Sequence, residues 1–85
     1  MQISVIVPVL NEEAVVETCL APFRDLDGVE VLVVDGGSSD RTREVVEASS
    51  RARLLVSDRE GRAFQLNRGA AASSGEVLLF LHADT

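Results

Sequence analysis

The sequence predicts an α/β protein in which four parallel strands are covered by helices. Two observations support this prediction. Short apolar runs, typical of strands buried on both faces of a sheet, alternate with segments whose apolar residues recur at helical spacing. The resulting order β-α-β-α-β-α-β indicates parallel strands joined by right-handed crossovers. We therefore expect one Rossmann-like, three-layer α/β/α unit with strand order 3-2-1-4 over residues 1–85.

The four predicted strands are short and rich in valine, isoleucine and leucine. They span residues 3–7, 29–34, 53–56 and 76–81, and the third is the weakest of the four. The first should stop at Pro8, because proline has no N–H to donate to a sheet ladder. The second should stop at Asp35, where two glycines follow.

The first predicted helix begins at Asn11, whose side chain can cap it. Glu12 and Glu13 then lie in its opening turn, where the helix dipole favours negative charge. Pro22 should end this helix near Ala21, because a proline ring blocks the helical hydrogen bond and clashes with the preceding turn.

The second and third helices follow the same logic. Ser38 or Ser39 can cap the second helix, with Asp40 nearby. Three apolar residues of this helix should face the core, namely Val45, Val46 and Ala48. The third helix is predicted over residues 61–73, and Gly75 suits its C-terminal stop.

Charge and composition disfavour nucleic acid as a partner. The chain carries 14 acidic and 8 basic residues, a net charge of -6, and its only aromatic residues are three phenylalanines. A negative charge disfavours binding to a phosphate backbone, and scarce aromatics disfavour stacking on single strands. We therefore expect no nucleic-acid partner.

The cellular location follows from three weaker signals. Cys19 is the only cysteine and lies in the apolar stripe of the first helix, which predicts a core thiol and fits a reducing compartment. No apolar run approaches the roughly 20 residues of a membrane span, and no signal peptide precedes the first strand. We expect a cytoplasmic location, either free or at the cytoplasmic face of a membrane.

Acidic residues follow three of the four predicted strands. Glu12 follows the first strand, Asp35 the second, and Asp84 the fourth, with His82 two residues before Asp84. In the predicted strand order these tips share one edge of the sheet, beside a switch point between strands 1 and 4. Ligands of open α/β sheets bind at such a point.

The absence of glycine from the loop after the first strand argues against two common types of nucleotide-binding site. Residues 8–13 contain no glycine, which excludes the dinucleotide fingerprint and the P-loop. The remaining hypothesis is a site whose carboxylates hold a base and a ribose. An oxygen ligand would bind Mg²⁺ or Mn²⁺, and this ion would bridge the phosphates.

Four stretches together resemble a known family. V-I-V-P-V-L-N-E-E, V-V-D-G-G-S-S-D-R-T, G-R-A-F-Q-L-N-R-G-A and F-L-H-A-D-T are similar, in order and spacing, to the nucleotide-sugar half of inverting family 2 glycosyltransferases with the GT-A fold. The similarity covers nearly the whole chain.

The resemblance implies roles for residues in the first three stretches. Pro8 and Glu12 would cradle the nucleoside, with Glu12 near the ribose, and Asp35 would bond the nucleobase, usually uracil. Arg62 would lie near the base or the diphosphate, or be a solvated arginine at a helix start. In the N-x-G of the third helix, Gly69 would permit close packing, whereas Asn67 is either structural or a ligand contact.

The closing H-A-D stands where the family has D-x-D. Asp84 matches the acid that binds the metal, a divalent Mg or Mn ion. His82 replaces the first acid, and it would ligate the metal, bond a ribose hydroxyl or be a core residue. Gly36 stands where the family often has a second aspartate, which leaves the choice of UDP over GDP or TDP open.

The activity implied is hexosyl transfer from a nucleotide-diphosphate sugar, a UDP-sugar being the expected donor, to an acceptor hydroxyl. A metal ion would neutralise the charge of the leaving diphosphate. The catalytic base and the acceptor pocket are expected beyond Thr85, so residues 1–85 should bind the donor without transferring sugar. The edge of strand 4 should also promote self-association.

The sequence bears on three alternative functions. A non-catalytic nucleotide-binding module and an inert folded fragment both agree with the sequence. A receiver-like signalling domain also gathers acids at strand ends, but it needs a lysine on a later strand. The sequence contains no lysine, which disfavours that alternative.

Overall fold

The structure, a computed structural model, describes residues 2–23, 26–49, 52–57 and 61–82. Its centre is a four-stranded parallel sheet made of β1 (Ile3–Val9), β2 (Val29–Asp35), β3 (Ala52–Val56) and β4 (Val77–Phe80). The strand order is β3-β2-β1-β4. The predicted α/β class and strand order are confirmed.

The helices cover the two faces of the sheet. They are α1 (Val16–Leu20), continued by a 3₁₀ turn at Ala21–Phe23, α2 (Thr42–Ala48) and α3 (Arg62–Ala72). Helices α1 and α2 pack on one face and α3 on the other. No helix among the described residues combines the length and apolarity needed to cross a membrane.

The core has two layers because successive strand residues point to opposite faces. On the side of α1 and α2, the buried strand residues include Val5, Val7 and Val33. On the side of α3 they are Ile6, Leu32, Val34 and Leu55. A Cβ on Gly69 of α3 would lie 2.5 Å from Ile6 Cγ2, so the glycine permits the predicted close packing of this helix on β1.

The first strand is longer than predicted, because β1 continues through Pro8 to Val9. The carbonyl of Ile6 accepts a hydrogen bond from Leu81 N, so the backbone polar groups of the even-numbered residues of β1 point towards β4. The last pair of these two strands is Ile6 with Phe80. Pro8 lies two residues farther along, where its missing N–H costs no ladder bond.

The predicted start of the first helix is wrong. Helix α1 begins at Val16, and Asn11 has a left-handed backbone with φ of 51°. Asn11 Oδ1 accepts hydrogen bonds from the backbone N–H groups of Ser39, at 2.7 Å, and Asp40, at 3.3 Å. The side chain that was expected to cap its own helix therefore holds the next loop. The predicted end near Ala21 agrees with the structure.

The predicted caps of the second helix are also wrong. Helix α2 begins after Arg41, and neither Ser38 nor Ser39 caps it. Instead Asp40 Oδ1 accepts the N–H of Thr42 at 2.9 Å. Val46 is buried as predicted, but Ala48 is exposed, because this seven-residue helix turns that position to solvent.

Strand β4 differs from the expected strand buried on both faces. All four of its residues are exposed, Leu79 by 50% and Phe80 by 52%. The strand pairs only with β1 among the described strands, so it forms an edge of the sheet. The apolar side chains of β4 are therefore not part of either core cluster formed by the described residues.

Candidate functional site

A pocket of about 320 Å³ lies at the carboxyl end of β1, beside the start of α3. Its described lining residues are Pro8, Val9, Leu10, Glu12, Gly61, Arg62 and Gln65. The fold thus brings together three of the predicted site residues, Pro8, Glu12 and Arg62. A second pocket, of about 250 Å³, lies between α1 and α2 and shares no lining residue with the first.

The lining of the pocket includes one acidic and one basic side chain, Glu12 after β1 and Arg62 in α3. Glu12 is partly exposed, and its Oε1 accepts the N–H of Leu10 at 3.1 Å, which shapes the loop after β1. Arg62 is exposed at the first position of α3. A carboxylate can accept bonds from ribose hydroxyls and a guanidinium can bind a phosphate, so the lining is suited to a nucleotide.

Asp35 is buried at the end of β2 and is bonded within its own loop. Its Oδ2 accepts the N–H groups of Gly37, at 3.0 Å, and Ser38, at 2.9 Å. Its Oδ1 accepts the hydroxyl of Ser38, and Arg43 Nε lies 3.9 Å from Oδ2. This carboxylate organises the loop after β2. The predicted contact of Asp35 with a nucleobase stays a prediction, because Asp35 is not among the described lining residues.

The loops after β1 and β2 are fastened to each other. Asn11 N donates to Ser38 Oγ at 2.9 Å, and Glu12 N donates to Thr42 Oγ1 at 2.8 Å. Hydrogen bonds from Thr42 hold the pKa of the Asp40 carboxyl below its ordinary value, its hydroxyl contributing most. The position of Glu12 in the pocket therefore depends on the hydroxyl groups of Ser38 in the second loop and of Thr42 at the start of α2, which the sequence did not predict.

Gln65 is a further residue that the sequence reading missed. It is 4% exposed, and its Nε2 donates to Val9 O at 2.9 Å and to Val34 O at 2.8 Å. One amide thus joins the ends of β1 and β2 at the pocket. The available signal was spacing, because residue 65 precedes the packing residue Gly69 by one helical turn.

The residues predicted at the end of β4 are only partly described. His82 is half-buried two residues after β4 and is not among the described lining residues of the pocket. Asp84, the predicted metal ligand, lies outside the described residues. Within the described ranges, no group of three or more His, Cys, Asp or Glu side chains is placed to hold a metal ion.

Cys19 agrees with its prediction as a core thiol. It is partly buried and packs against the core cluster on the α1 side of the sheet. Burial raises the pKa of this thiol, and the negative charge of Glu12 adds to the effect. A thiol with a raised pKa is a poor nucleophile, and Cys19 is not among the described lining residues of the pocket.

Comparison with known proteins gives one consistent result. The sequence model described as "Glycosyl transferase family 2" matches residues 4–85. Glucosyl-3-phosphoglycerate synthase of Mycobacterium tuberculosis (strain H37Rv) is 38% identical over 96% of the chain, and glycosyltransferase AglE of Haloferax volcanii is 37% identical over 96%. The chain spans 28% and 30% of the lengths of these two relatives.

Solved structures agree in fold. The glucosyl-3-phosphoglycerate synthase from M. tuberculosis in complex with UDP superposes with a TM-score of 0.85 at 36% identity, covering 99% of this chain and 34% of that one. The same enzyme in complex with Mn²⁺, UDP-glucose and phosphoglyceric acid superposes with a TM-score of 0.84 at 36% identity, covering 96% and 33%. The resemblance inferred from the four sequence stretches is confirmed.

Proposed function

We propose that this chain, which belongs to glycosyl transferase family 2, forms the donor site of an enzyme that transfers a hexose from a nucleotide-diphosphate sugar. The transfer would go to an acceptor hydroxyl with inversion at the sugar carbon. The observation that carries the proposal is the pocket that gathers Pro8, Glu12 and Arg62 at the carboxyl end of β1. Open α/β sheets bind ligands at this edge, next to the strand where the order reverses.

The proposed donor is a UDP-sugar. Its support is the M. tuberculosis structure in complex with UDP, together with the Glu12 carboxylate and the Arg62 guanidinium in the lining of the pocket. In this proposal Glu12 accepts a ribose hydroxyl, Arg62 binds the diphosphate, and Pro8 packs against the nucleoside. Asp35 holds the loop after β2 in place, and its predicted hydrogen bond to the nucleobase is part of the proposal.

A divalent cation, Mg²⁺ or Mn²⁺, is part of the proposal. Its support is the M. tuberculosis structure that contains Mn²⁺ together with UDP-glucose. Asp84 would hold the ion, because a carboxylate oxygen is a ligand that both metals accept. The bound ion would neutralise the charge that develops on the leaving diphosphate. His82 would lie next to it and either ligate it or bond the ribose.

The acceptor side and the catalytic base are proposed to lie outside residues 1–85. The matched relatives are more than three times as long as the aligned segment, which leaves ample chain for both. We also propose a cytoplasmic location, free or at the cytoplasmic face of a membrane, to which the reduced, partly buried Cys19 is suited.

Calorimetry tests the donor site directly. The chain is titrated with UDP-glucose and UDP in the presence of Mn²⁺, and binding of both is expected. Arg62→Met should weaken UDP by roughly tenfold or more, because a hydrogen bond to a charged group is lost. Arg68→Met, which is also exposed and lies on the same helix, is the matched control. No binding of any nucleoside diphosphate by the unmodified chain would overturn the proposal.

A second measurement separates donor binding from transfer. Release of UDP from UDP-glucose is followed for residues 1–85 with hydroxyl acceptors present, and none above the buffer rate is expected. Steady release by this segment alone would contradict the placement of the base outside it. Binding without release in a longer chain that carries the segment would instead favour a non-catalytic nucleotide-binding module.

A further inference from the structure

The amide of Gln65 occupies the space beside Gly36 in which a side chain at position 36 would begin. A Cβ built on Gly36 would lie 2.8 Å from both Cδ and Oε1 of Gln65 and 3.0 Å from Nε2. Real Cβ atoms do not approach other heavy atoms so closely. Gly36 and Gln65 are therefore matched: the amide can lie there only because residue 36 has no side chain.

The orientation of this amide is fixed by its partners. Nε2 donates both of its hydrogens, one to Val9 O and one to Val34 O. A carbonyl oxygen in place of Nε2 would face two other carbonyl oxygens, so the nitrogen must be on that side. Oε1 is the other polar atom of the same amide and lies beside Gly36. Within the described parts of the chain it has no hydrogen-bond donor, although Gln65 is 4% exposed and lines the pocket.

A buried acceptor without a donor is costly in a folded protein, and a ligand can supply the missing bond. The two N–H bonds hold the amide in one orientation before any ligand arrives, which reduces the entropy lost on binding. The acceptor is also neutral, so it adds no negative charge beside the buried carboxylate of Asp35.

We propose that Gln65 Oε1 accepts a hydrogen bond from the nucleoside of the donor, either from a base N–H or from a ribose hydroxyl. Gln65 is then a specificity-determining residue that supplies, from helix α3, an acceptor that Gly36 cannot supply from the loop after β2. The inference rests on the proposed function, because it needs a nucleotide in the pocket.

The test is a titration of the full chain with UDP and Mn²⁺. Gln65→Ala should weaken UDP by roughly tenfold while leaving pyrophosphate affinity within about twofold, because one hydrogen bond to the nucleoside is lost. In the Gln65→Ala background, Gly36→Asp has room for its Cβ and returns an acceptor to the same place. The double variant should therefore recover most of the lost UDP affinity, which a purely structural role of Gln65 would not produce.

Ligand analogues distinguish the two candidate hydrogen-bond donors of the nucleoside, the base N–H and a ribose hydroxyl. If Oε1 accepts the base N–H, N3-methyl-UDP binds the unmodified chain more weakly than UDP does, and Gln65→Ala removes that difference. If it accepts a ribose hydroxyl, 2′-deoxy-UDP or 3′-deoxy-UDP behaves in this way. The proposal would be overturned if, for each of the three analogues, the ratio of its affinity to that of UDP were the same in the unmodified chain and in Gln65→Ala.

A measurement on the unmodified chain covers the case in which Gln65→Ala fails to fold. The side-chain amide resonances of Gln65 should shift on addition of UDP and stay in place on addition of pyrophosphate. Unchanged resonances at saturating UDP would overturn the inference alone, because binding itself would have been demonstrated. An unmodified chain that binds no UDP would overturn the proposed function and this inference with it.

Discussion

Ser38 is bonded to Asp35 by two groups and to Asn11 by one. Its N–H and its hydroxyl both donate to the buried carboxylate, and its Oγ accepts the N–H of Asn11 at 2.9 Å. Through these bonds, Ser38 fixes the loop after β1 relative to the loop after β2. The first loop carries Glu12, so the shape of the pocket depends on a residue that does not line it.

Ser38→Ala should therefore destabilise the fold and weaken nucleotide binding together. The substitution leaves a buried carboxylate oxygen and a backbone N–H each without a partner, at a cost of about 1–3 kcal/mol in the free energy of unfolding. Urea denaturation measures this loss. Ser39→Ala is the control, because Ser39 is exposed and its hydroxyl makes only a 3.3 Å contact with Asn11. Equal losses for the two variants would refute the special position of Ser38.

A second prediction concerns pH, through Glu30 at the amino end of β2. The N–H of Ser74 donates to its carboxylate and does most to hold the pKa of Glu30 below its ordinary value of 4.5, and the hydroxyls of Ser4 and Ser74 contribute as well. A depressed pKa means that the folded state favours the ionised form. The stabilisation is therefore present above pH 4.5 and is lost as the pH falls through the lower folded pKa.

The measurement is the urea midpoint between pH 7 and pH 3. Glu30→Gln should be less stable than the unmodified chain at pH 7, and the difference should shrink below the ordinary glutamate pKa. Glu47→Gln, an exposed substitution on α2, should follow the unmodified chain throughout. A stability difference for Glu30→Gln that is constant over this range would rule out the linkage.

The metal prediction concerns Asp84. Asp84→Asn should abolish the dependence of UDP binding on Mn²⁺, because an amide oxygen brings no negative charge to the ion. The thermal midpoint of unfolding without metal should not change. Asp27→Asn, in an exposed turn before β2, serves as the control. Titration with Mn²⁺ decides the matter, and an unaltered Mn²⁺ affinity in Asp84→Asn would remove this residue from the metal site.

Self-association through β4 is the fourth prediction. The strand exposes Leu79 and Phe80 at a sheet edge, and such an edge can pair with another chain. Sedimentation at several concentrations should therefore detect a dimer of residues 1–85. Phe80→Lys should shift the equilibrium towards monomer, whereas Leu26→Lys, at a similarly exposed position away from the sheet, should not. A monomer at all concentrations would refute the prediction.

The fold was predictable because its signals are local. Each strand is an apolar run and each helix has its own periodicity, so the order of elements and the sheet topology follow from the sequence. The starts of the first two helices were not predictable, because Asn11 and Ser38 could satisfy local caps and instead bond each other's loops, 27 residues apart. A local rule cannot choose between a near partner and a distant one.

The site was predictable to the same extent. Glu12 was found from its place after the first strand, and Pro8 and Arg62 from the family resemblance; the pocket brings the three together. Gln65 was not found, because a glutamine within a helix is usually a surface residue. Its importance depends on the absence of a side chain at Gly36 and on two backbone carbonyls, and none of these is visible from residue 65 alone.

The central position of β1 has a consequence for the time course of synthesis. Its contact with β2 joins Ser4 to Glu30, 26 residues apart, whereas its contact with the segment before β4 joins Ser4 to Gly75, 71 residues apart. At a synthesis rate of roughly 5–20 residues per second, the edge of β1 that pairs with β4 stays unpaired for several seconds after the β2 segment has been made. Because long-range pairing forms late, hydrogen exchange pulsed during refolding should protect the amides between β1 and β2 before those of β4. During those seconds, chaperones or fast folding would be needed to prevent β1 from pairing with another polypeptide chain.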